Sequence, residues 1–378
     1  MNFDLTEEQQ LVRDTVRTFA RERVAPVAAE LDREQRFPYD LVAELADLGL
    51  MGMTIPEEYG GAGADTVAYA IVVEELTRID SSVAITVAAH HSLGTLPIYY
   101  FGSEEQKRRW LPDLASGKKL AAFGLTEPGA GSDAGATRTT AEPRDGEWII
   151  NGSKIFITNA GTNITGCVTI TARTGDDEIS NIVVENGTPG YTISPPMHKL
   201  GWRASDTREL SFANCRVPEE NLLGPRGKGF QQFLTILDGG RISVAAMGVG
   251  LAQGAYDLAY AYAKEREQFG KPIAQFQAVQ FALADMAVEV EAGRQLTYKA
   301  AWLKDEGRTF ALAAAMAKLY TGELSHRAAN AALQIHGGYG FMEESAIARL
   351  YRDQKILEIG EGTNEVQRMV IARHLGLS

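Results

Sequence analysis

Helical periodicity occupies both ends of the 378-residue chain and is absent from its middle. Apolar residues recur at helical spacing from Thr6, which forms a capping-box pattern with Gln9, up to Pro26. Between about Leu120 and Leu223 this spacing gives way to short runs rich in Thr, Val, Ile and Gly, which are typical of strands. Helical spacing then returns in four long stretches, near 228–265, 272–305, 309–335 and 343–374.

This order predicts an α+β protein with an N-terminal α-helical domain at 1–120, a middle β domain at 121–225 and a C-terminal four-helix bundle at 226–378. Because neither an internal repeat nor a long linker is present, we expect the three parts to pack as one unit.

The uncharged stretch 81–103 is long enough to cross a bilayer. Its two histidines, glycine and proline instead favour a buried helix, so we expect no membrane insertion.

Charge and cysteine content exclude several classes of protein. Lys and Arg total 37 against 49 Asp and Glu, giving a net charge of -12, so nucleic acid and anionic membranes are poor partners. Cys167 and Cys215 are the only cysteines, which excludes a disulfide framework. The six histidines lack metal-ligand spacing, so no metal site is predicted. We expect His90 and His91 to be a hydrogen-bonded pair in the core. The acidic, polar start MNFDLTEEQQ differs from a secretory signal and predicts a cytoplasmic protein.

Three glycine clusters are candidates for phosphate-binding loops: Gly129–Gly131, Gly248–Gly250 and Gly337–Gly338. None stands in the strand–turn–helix setting that G-x-G-x-x-G requires, so a Rossmann nicotinamide site is disfavoured. Gly248, Gly250 and Gly254 instead favour close packing between helices. The absence of G-x-S-x-G, H-E-x-x-H and Walker sequences argues against a serine hydrolase, a zincin and a P-loop NTPase.

The segment LTEPGAGSD at 125–133 resembles the flavin-contacting segment of the acyl-CoA dehydrogenase family. Four further blocks match that family in the same order, namely KIFITN at 154–159, REQFG at 266–270, QIHGGYG at 334–340 and YRDQKILEIGEGTNEVQR at 351–368. The resemblance covers essentially the whole chain. It implies a β-barrel-like middle domain and a homotetramer that holds FAD at a subunit boundary. It also implies oxidation of an acyl-CoA thioester to the trans-2-enoyl form, with an electron-transferring flavoprotein as acceptor.

One predicted set of flavin contacts lies in the middle domain. A Gly-rich turn after a strand lets backbone N–H groups and the hydroxyls of Thr126 and Ser132 approach a flat ring and its phosphate tail. Phe156 and Thr158 are two residues apart on a strand, so we expect them to share the face against the isoalloxazine. The family usually has Trp where Phe156 stands, which alters the docking surface for the electron acceptor. The resemblance adds Phe123, Leu125 and Gly131.

A second predicted set lies in the C-terminal region. Arg266 and Phe269 are three residues apart at a helix end, so we expect a charge and a ring pointing in one direction, suited to a diphosphate and an adenine. The resemblance places both against the FAD of a neighbouring subunit. It assigns the same role to Gln277, Gln334, Gly337 and Gly338, and it adds Thr363 and Glu365 to the cofactor contacts. A helix stop without a ligand stays open as the alternative for Gly337–Gly338.

By periodicity, Glu361 stands in a joint between two helices, with Gly360 as a stop and Thr363 as the next N-cap. The implied chemistry requires a carboxylate that removes the α-proton while the β-hydride passes to flavin N5. The resemblance assigns this role to Glu361. Some branches of the family carry the base before a helical arginine, but in this sequence Gly240 precedes Arg241, so Glu361 is the one candidate of the two.

The predicted substrate contacts are Ser132, Asp238, Arg241, Gly360 and Gly362. For Asp238 and Arg241, a contact near the CoA end and a purely structural charge on the helix are both open. The glycines that flank Glu361 let its backbone N–H approach the thioester oxygen. Short- and medium-chain members usually have Tyr before the base, so Gly360 predicts a larger pocket and leaves branched acyl groups open. The small, neutral residues Ile85, Val87 and Ala88 would form the far end of that pocket, which disfavours a carboxylated acyl group.

Four related classes of protein are alternatives. A flavin monooxygenase or a nitroalkane-oxidising relative of the same fold would share the flavin residues but lack a Glu at position 361. An acyl-CoA oxidase would need a further helical domain. A non-catalytic binding protein of the same family should have lost the base or the flavin segment, and this sequence retains both.

Overall fold

The computed structural model describes residues 4–377. Its N-terminal part is helical, and its α-helices are α1 (Glu7–Phe19), α2 (Ala25–Glu34), α3 (Tyr39–Asp47), α4 (Thr66–Thr77), α5 (Ser81–Ala88), α6 (Leu96–Phe101) and α7 (Glu104–Ala115). The capping box at Thr6 is confirmed, because the Thr6 hydroxyl accepts from Gln9 N and the Gln9 side chain accepts from Thr6 N.

The first helical segment is longer than predicted, whereas the stretch 81–103 is buried as predicted. The helix predicted to end at Pro26 instead continues to Glu34. A π-helical turn at Ala20–Val24 precedes Pro26, which then occupies the first turn of α2, where no N–H is needed. The stretch 81–103 forms α5, a π-helical turn at Ala89–Thr95 and α6, and its helical part is largely buried within the protein, as expected.

The middle of the chain is rich in strands, as the sequence predicts. Its strands are β1 (Leu120–Gly124), β2 (Thr140–Arg144), β3 (Glu147–Thr158), β4 (Thr165–Arg173), β5 (Ile179–Glu185), β6 (Tyr191–Ile193), β7 (Thr207–Pro218) and β8 (Leu222–Leu223). They form one sheet in the order β6-β7-β3-β2-β4-β5-β8, and β1 pairs with β4 in parallel. Trp148, Ile150 and Phe212 contribute to the core on this sheet. In the described chain β6 and β8 do not pair with each other, so backbone hydrogen bonds do not close the sheet into a barrel.

The C-terminal part is the predicted helical bundle. It contains α8 (Gly229–Glu265), a short hairpin of β9 (Glu267–Gln268) and β10 (Lys271–Pro272), α9 (Gln277–Asp305), α10 (Ala311–His336), α11 (Ala346–Asp353) and α12 (Asn364–His374). The second predicted stretch begins five residues late because 267–272 forms the hairpin. The fourth is interrupted between α11 and α12, where a 3₁₀ turn at Gln354–Glu358 leads to Glu361. The domain boundaries at 120 and 225 stay a prediction.

Helix α8 is the central element of the fold. Within residues 4–377 it is the one helix long and apolar enough to cross a membrane, but 72% of its most apolar window is buried inside the protein. It packs against α4 and α10. A Cβ at Gly250 would lie 2.2 Å from Glu74 O of α4, and one at Gly248 would lie 2.7 Å from Thr321 Cβ of α10. These glycines therefore serve helix packing, as predicted.

We expect Gly250→Ala to lower the free energy of unfolding by about 1–3 kcal/mol, since the new methyl group collides with a backbone oxygen that cannot rotate away. Gly239→Ala is the matched control, because its Cβ would meet its nearest neighbour, Lys304 Nζ, at 3.6 Å. That variant should keep or slightly raise stability, since alanine favours helix. Thermal unfolding at one fixed protein concentration measures both, and equal midpoints for the two variants would contradict this packing role.

Candidate active site

Glu361 occupies a strained joint between two elements. Its φ is 52°, in the left-handed region that side chains other than glycine rarely adopt, and Gly362 follows with φ 87°. Gly360 N donates to Ile356 O at 2.7 Å and closes the preceding turn. Thr363 caps α12 by accepting from Val366 N, as the sequence predicts. The joint therefore holds Glu361 in one backbone conformation between two fixed ends.

The carboxylate of Glu361 lies against the backbone of α8. A Cβ built on Gly240 would be 2.0 Å from Glu361 Oε2. The residue is half-buried overall, but Oε2 is shielded from solvent and has no hydrogen-bond partner among residues 4–377. Burial raises the pKa of Glu361 to about 7, although the nearby charges of Lys318 and Arg241 oppose that rise. A buried, unpartnered carboxyl that titrates near neutrality has the properties of a general base.

The same contact explains why position 240 carries no side chain. Any residue other than glycine there would occupy the space of the Glu361 carboxylate. A base at 240 and a base at 361 are thus sterically incompatible in this arrangement, and the chain has the glycine that Glu361 requires.

Asp238 and Arg241, both predicted substrate contacts, are paired on α8. Arg241 Nη1 lies 2.5 Å from Asp238 Oδ1, and the Arg241 side chain is 4% exposed. Arg241 Nε is buried and has no partner in the described chain. Burial lowers the pKa of Arg241 and raises the pKa of Asp238, and the charge of Arg241 opposes the latter. The structure therefore brings Arg241 beside Glu361, with Asp238 bound to it.

The predicted flavin turn follows β1. Phe123, near the end of β1, stacks on Phe233 of α8 with ring centroids 6.3 Å apart. Leu125 is half-buried, Gly131 and Ser132 are exposed, and Thr126 O accepts from Ile155 N of β3 at 2.8 Å.

The hydroxyls of this region have free hydrogen-bonding capacity. Those of Thr126, Ser132 and Thr158 lack a side-chain hydrogen-bond partner within residues 4–377. Ser132 is exposed, and Thr126 and Thr158 are partly exposed, so a ligand can reach their hydroxyls.

The strand that carries Phe156 is irregular. Phe156 has φ 63°, and the pairing of β3 with β7 shifts register between Lys154 and Ile157. Strict alternation, on which the shared-face prediction rests, therefore does not hold at Phe156. Ile157 is nevertheless buried, whereas Phe156 is 62% exposed and Thr158 is half-buried. Phe156 and Thr158 both remain accessible to a ligand, but the sequence argument that strand alternation puts them on one face is wrong.

Sequence reasoning missed the ion pair that holds the flavin turn. Lys154 is fully buried, and its Nζ lies 2.8 Å from Glu127 Oε1. The same ammonium donates to Leu125 O and to the hydroxyls of Thr137 and Thr171. Burial lowers the pKa of Lys154 to about 8, and the hydrogen bond from Lys154 lowers the pKa of Glu127 despite burial. The available signal was a charged residue in each of two matching blocks, one within β3 and one shortly after β1.

The flavin turn and Glu361 lie along one side of α8. Phe233, which contacts Phe123, precedes Gly240, which contacts Glu361, by seven residues. Seven residues are two turns of helix, so both positions share a face and are about 10 Å apart along the axis. Helix α8 thus places the predicted flavin contacts and the candidate base in one site.

The second predicted cofactor set differs from expectation at Arg266 and Phe269. Helix α8 ends at Glu265, Arg266 is its extended C-cap, and Phe269 lies in the turn of the β9–β10 hairpin with φ 55°. Helical spacing therefore does not relate the two side chains, and that argument is wrong. Phe269 is 93% exposed, and Gln277, the first residue of α9, is also exposed.

A cleft of about 550 Å³ brings part of this second set together. Arg266, Gly337 and Gly338 line it, together with His336 and Tyr339. The Arg266 guanidinium lies 5.6 Å from the Tyr339 ring centroid. Gly337 ends α10 with φ 58°, and a Cβ at either glycine would meet nothing within 4 Å. Exposed Gln334 stands in the last turn of α10, whereas Glu365 is exposed in the first turn of α12.

The predicted far end of the acyl pocket is buried, since Ile85, Val87 and Ala88 of α5 are at most 4% exposed. Sequence reasoning missed a polar group nearby: Tyr69 donates to Ala88 O at 3.2 Å and packs against the His91 ring. His91 Nε2 lies 2.9 Å from Thr54 Oγ1, whereas its Nδ1 is buried without a partner in the described chain. Burial lowers the pKa of His91 to about 3, so its ring is neutral.

His90 is the hydrogen-bonded core residue that the sequence predicts. Its Nδ1 accepts from Ala121 N at 3.0 Å, and its Nε2 lies 2.9 Å from Leu114 O. The described residues contain no cluster of His, Cys, Asp and Glu that could hold a metal ion.

Family models and a curated relative agree on one family for this chain. The family models for the N-terminal, middle and C-terminal domains of acyl-CoA dehydrogenase match residues 6–118, 122–215 and 227–376. A curated relative, the probable acyl-CoA dehydrogenase YngJ of Bacillus subtilis, is 53% identical over 99% of this chain and 100% of its own length.

Two solved structures superpose closely. The butyryl-CoA dehydrogenase of Megasphaera elsdenii has a TM-score of 0.97 at 44% identity, covering 99% of this chain and 100% of that one. A chain in a structure described as the electron transferring flavoprotein of Acidaminococcus fermentans also has a TM-score of 0.97 at 44% identity, covering 99% of both chains. With all three domain models matched in order, this chain belongs to the acyl-CoA dehydrogenase family.

Proposed function

We propose that this protein is an FAD-dependent dehydrogenase that converts an acyl-CoA thioester to trans-2-enoyl-CoA, with Glu361 removing the α-proton. The observation that carries the proposal is Glu361 Oε2, an oxygen that is shielded from water, lies against Gly240 and has no partner among residues 4–377. The similar proteins described above, one named for butyryl-CoA, support the reaction class and acyl-CoA as substrate.

The residues of the first predicted set fit FAD. An exposed aromatic ring at Phe156 and unbonded hydroxyls on Thr126, Ser132 and Thr158 suit a flat heterocycle with polar edges. The glycine at 131 leaves open space where a side chain would otherwise obstruct a phosphate tail. When bound, FAD supplies the acceptor for the β-hydride.

The chain's own residues supply the proton chemistry. Glu361 must be ionised to accept the α-proton, and its desolvated position makes it a stronger base than a carboxylate in water. Its backbone N–H, flanked by two glycines, is assigned to the thioester oxygen, where negative charge develops as the proton leaves. A monooxygenase of this fold needs no such base, so the shielded carboxylate favours the dehydrogenase.

A homotetramer is proposed because one chain separates its two cofactor sets. Phe233, on which Phe123 of the first set stacks, and Arg266 of the second set are 33 residues apart along α8 and its C-cap. This corresponds to about 50 Å along a helix axis and exceeds the reach of one FAD. Arg266, Gly337 and Gly338 are therefore assigned to the FAD of a neighbouring copy. Light scattering should give the mass of a tetramer, and the absorbance of the yellow protein should give one FAD per chain. A stable monomer with full FAD occupancy would overturn this assembly.

An electron-transferring flavoprotein is proposed as the electron acceptor. The similarity to a chain in a structure of such a flavoprotein supports the relationship. Phe156, exposed over 62% of its surface, provides an aromatic group where the family usually has Trp, so the docking surface would be smaller in area but still aromatic.

The Glu361→Gln variant tests the reaction. It preserves shape and backbone but removes the base, so FAD content and acyl-CoA binding should persist, while flavin reduction by butyryl-CoA should slow by about 10²–10⁴-fold. Glu44→Gln, on α3 and outside both predicted sets, is the control, because that carboxylate pairs with Arg23 and should leave the rate near that of the parent. Anaerobic stopped-flow absorbance measures all three proteins. A Gln variant that reduced its flavin at the parent rate would remove the role assigned to Glu361.

Gly360→Tyr tests the acyl pocket. A ring beside the thioester should shift the preference among acyl-CoAs toward short straight chains, since it fills volume that branched groups would use. A Cβ at position 360 would lie 3.3 Å from Ile356 O, so Gly360→Ala controls for the small backbone adjustment alone. Rates of flavin reduction over a panel of straight and branched acyl-CoAs give the ranking, and an order identical in parent and Tyr variant would show that Gly360 does not line the pocket.

A further inference from the structure

Lys318 is a buried lysine that the proposed chemistry does not yet use. It lies on α10 with 0% of its surface exposed. Its Nζ donates to Gly362 O at 2.8 Å and to Asn364 Oδ1 at 3.2 Å. Within residues 4–377 no carboxylate oxygen lies within 4.0 Å of this ammonium. A buried charge without a contacting counter-ion is costly, so its retention calls for a reason beyond packing.

Both acceptors of Lys318 belong to the joint that carries Glu361. Gly362 O also accepts from Gln367 Nε2 at 2.9 Å, and Gln367 is fully buried. Two successive residues, Glu361 and Gly362, have left-handed backbones, a conformation that needs external support. The hydrogen bonds from Lys318 and Gln367 hold the carbonyl of Gly362, the residue after Glu361. They thereby fix the direction of the Glu361 side chain toward Gly240.

The charged groups around Glu361 come from several elements. Arg241 acts on it from α8 and Lys318 from α10. Burial raises the pKa of Tyr69 on α4, and the charge of Glu361 adds to that rise. On the segment that carries Glu361, the charges of Glu358 and Glu365 oppose the lowering of the Lys318 pKa by burial. The charge of Arg241 is already engaged by Asp238 at 2.5 Å.

Lys318 differs from Arg241 because it bonds only to neutral oxygens. Its positive charge is therefore less compensated and is available to stabilise an anion at Glu361. Burial lowers the pKa of Lys318 to about 8, so the ammonium is still charged over the range in which Glu361 ionises.

We propose that Lys318 is the positioning residue of the catalytic base: it holds the left-handed joint through Gly362 and supplies the buried positive charge that keeps Glu361 ionised. This rests on the proposed function, in which Glu361 removes the α-proton. A lysine that merely joined α10 to α12 would affect folding and flavin content but would not set the pH at which the base becomes active.

The test uses Lys318→Met, which keeps the aliphatic stem and removes the ammonium. Anaerobic flavin reduction by butyryl-CoA is followed in the FAD-loaded protein from acidic to alkaline pH. The parent rate should rise with pH through about 7, because Glu361 must lose its proton to act. In the variant the midpoint should move up by about one pH unit, which lowers the rate about fivefold at pH 7 and about tenfold at more acidic pH, and restores it at high pH.

A second readout is independent of turnover. Amide hydrogen–deuterium exchange in a peptide covering 359–364 should be faster in Lys318→Met, because Gly362 O loses its buried donor. Thr321→Val is the matched control: Thr321 is a buried polar residue one turn further along α10, and its hydroxyl bonds only within the helix, to Ala317 O. That variant should keep the parent midpoint and the parent exchange rate.

Each outcome decides the proposal. A Lys318→Met midpoint equal to the parent's, or a rate lowered equally at every pH, overturns it. If Lys318→Met does not fold, Asn364→Ala serves instead: it removes one acceptor but keeps the ammonium, so exchange should quicken while the midpoint stays, and a shifted midpoint would overturn the role of the charge. A parent protein whose flavin no acyl-CoA reduces would refute the proposed function itself, which distinguishes the two failures.

Discussion

The contact between Gly240 and the carboxylate of Glu361 is the constraint on which the site depends. Because position 240 has no side chain, the carboxylate can lie against the backbone of α8, with its Oε2 shielded from water and without a partner in the described chain. Glycines on the same helix at 248 and 250 bring α10 and α4 to within backbone contact. Helix α8 therefore forms the core through its small residues and, by the same means, leaves room for a buried base.

Two buried lysines support the two halves of this site. Lys154 holds the flavin turn by bonding Leu125 O and pairing with Glu127, and Lys318 holds the joint of Glu361 by bonding Gly362 O. Both ammonium groups thus fix a backbone carbonyl next to a functional segment. They differ in their counter-charge, since the carboxylate of Glu127 contacts Lys154 directly whereas Lys318 contacts neutral oxygens. This difference leaves the charge of Lys318 free to act on the base.

Local sequence patterns predict what local forces determine. The cap at Thr6, the joint before Thr363 and the change from helix to strand and back follow from capping and periodicity, and the structure confirms them. The left-handed backbone at Phe156 and the hairpin turn at Phe269 escaped prediction because periodicity assumes a regular backbone. The bonds of Lys318 to the Glu361 joint span 44 and 46 residues, so no local pattern signals them.

We infer that Glu361 and the flavin turn act on one acyl group from either side of a site built along α8. A crystal structure of the protein with FAD and a non-oxidisable acyl-CoA analogue tests it most directly. We predict a Glu361 carboxylate oxygen within about 3.5 Å of the acyl α-carbon, on the side opposite the flavin ring. A thioester bound elsewhere, or a Glu361 carboxylate turned away from the α-carbon with the analogue in place, would contradict the account.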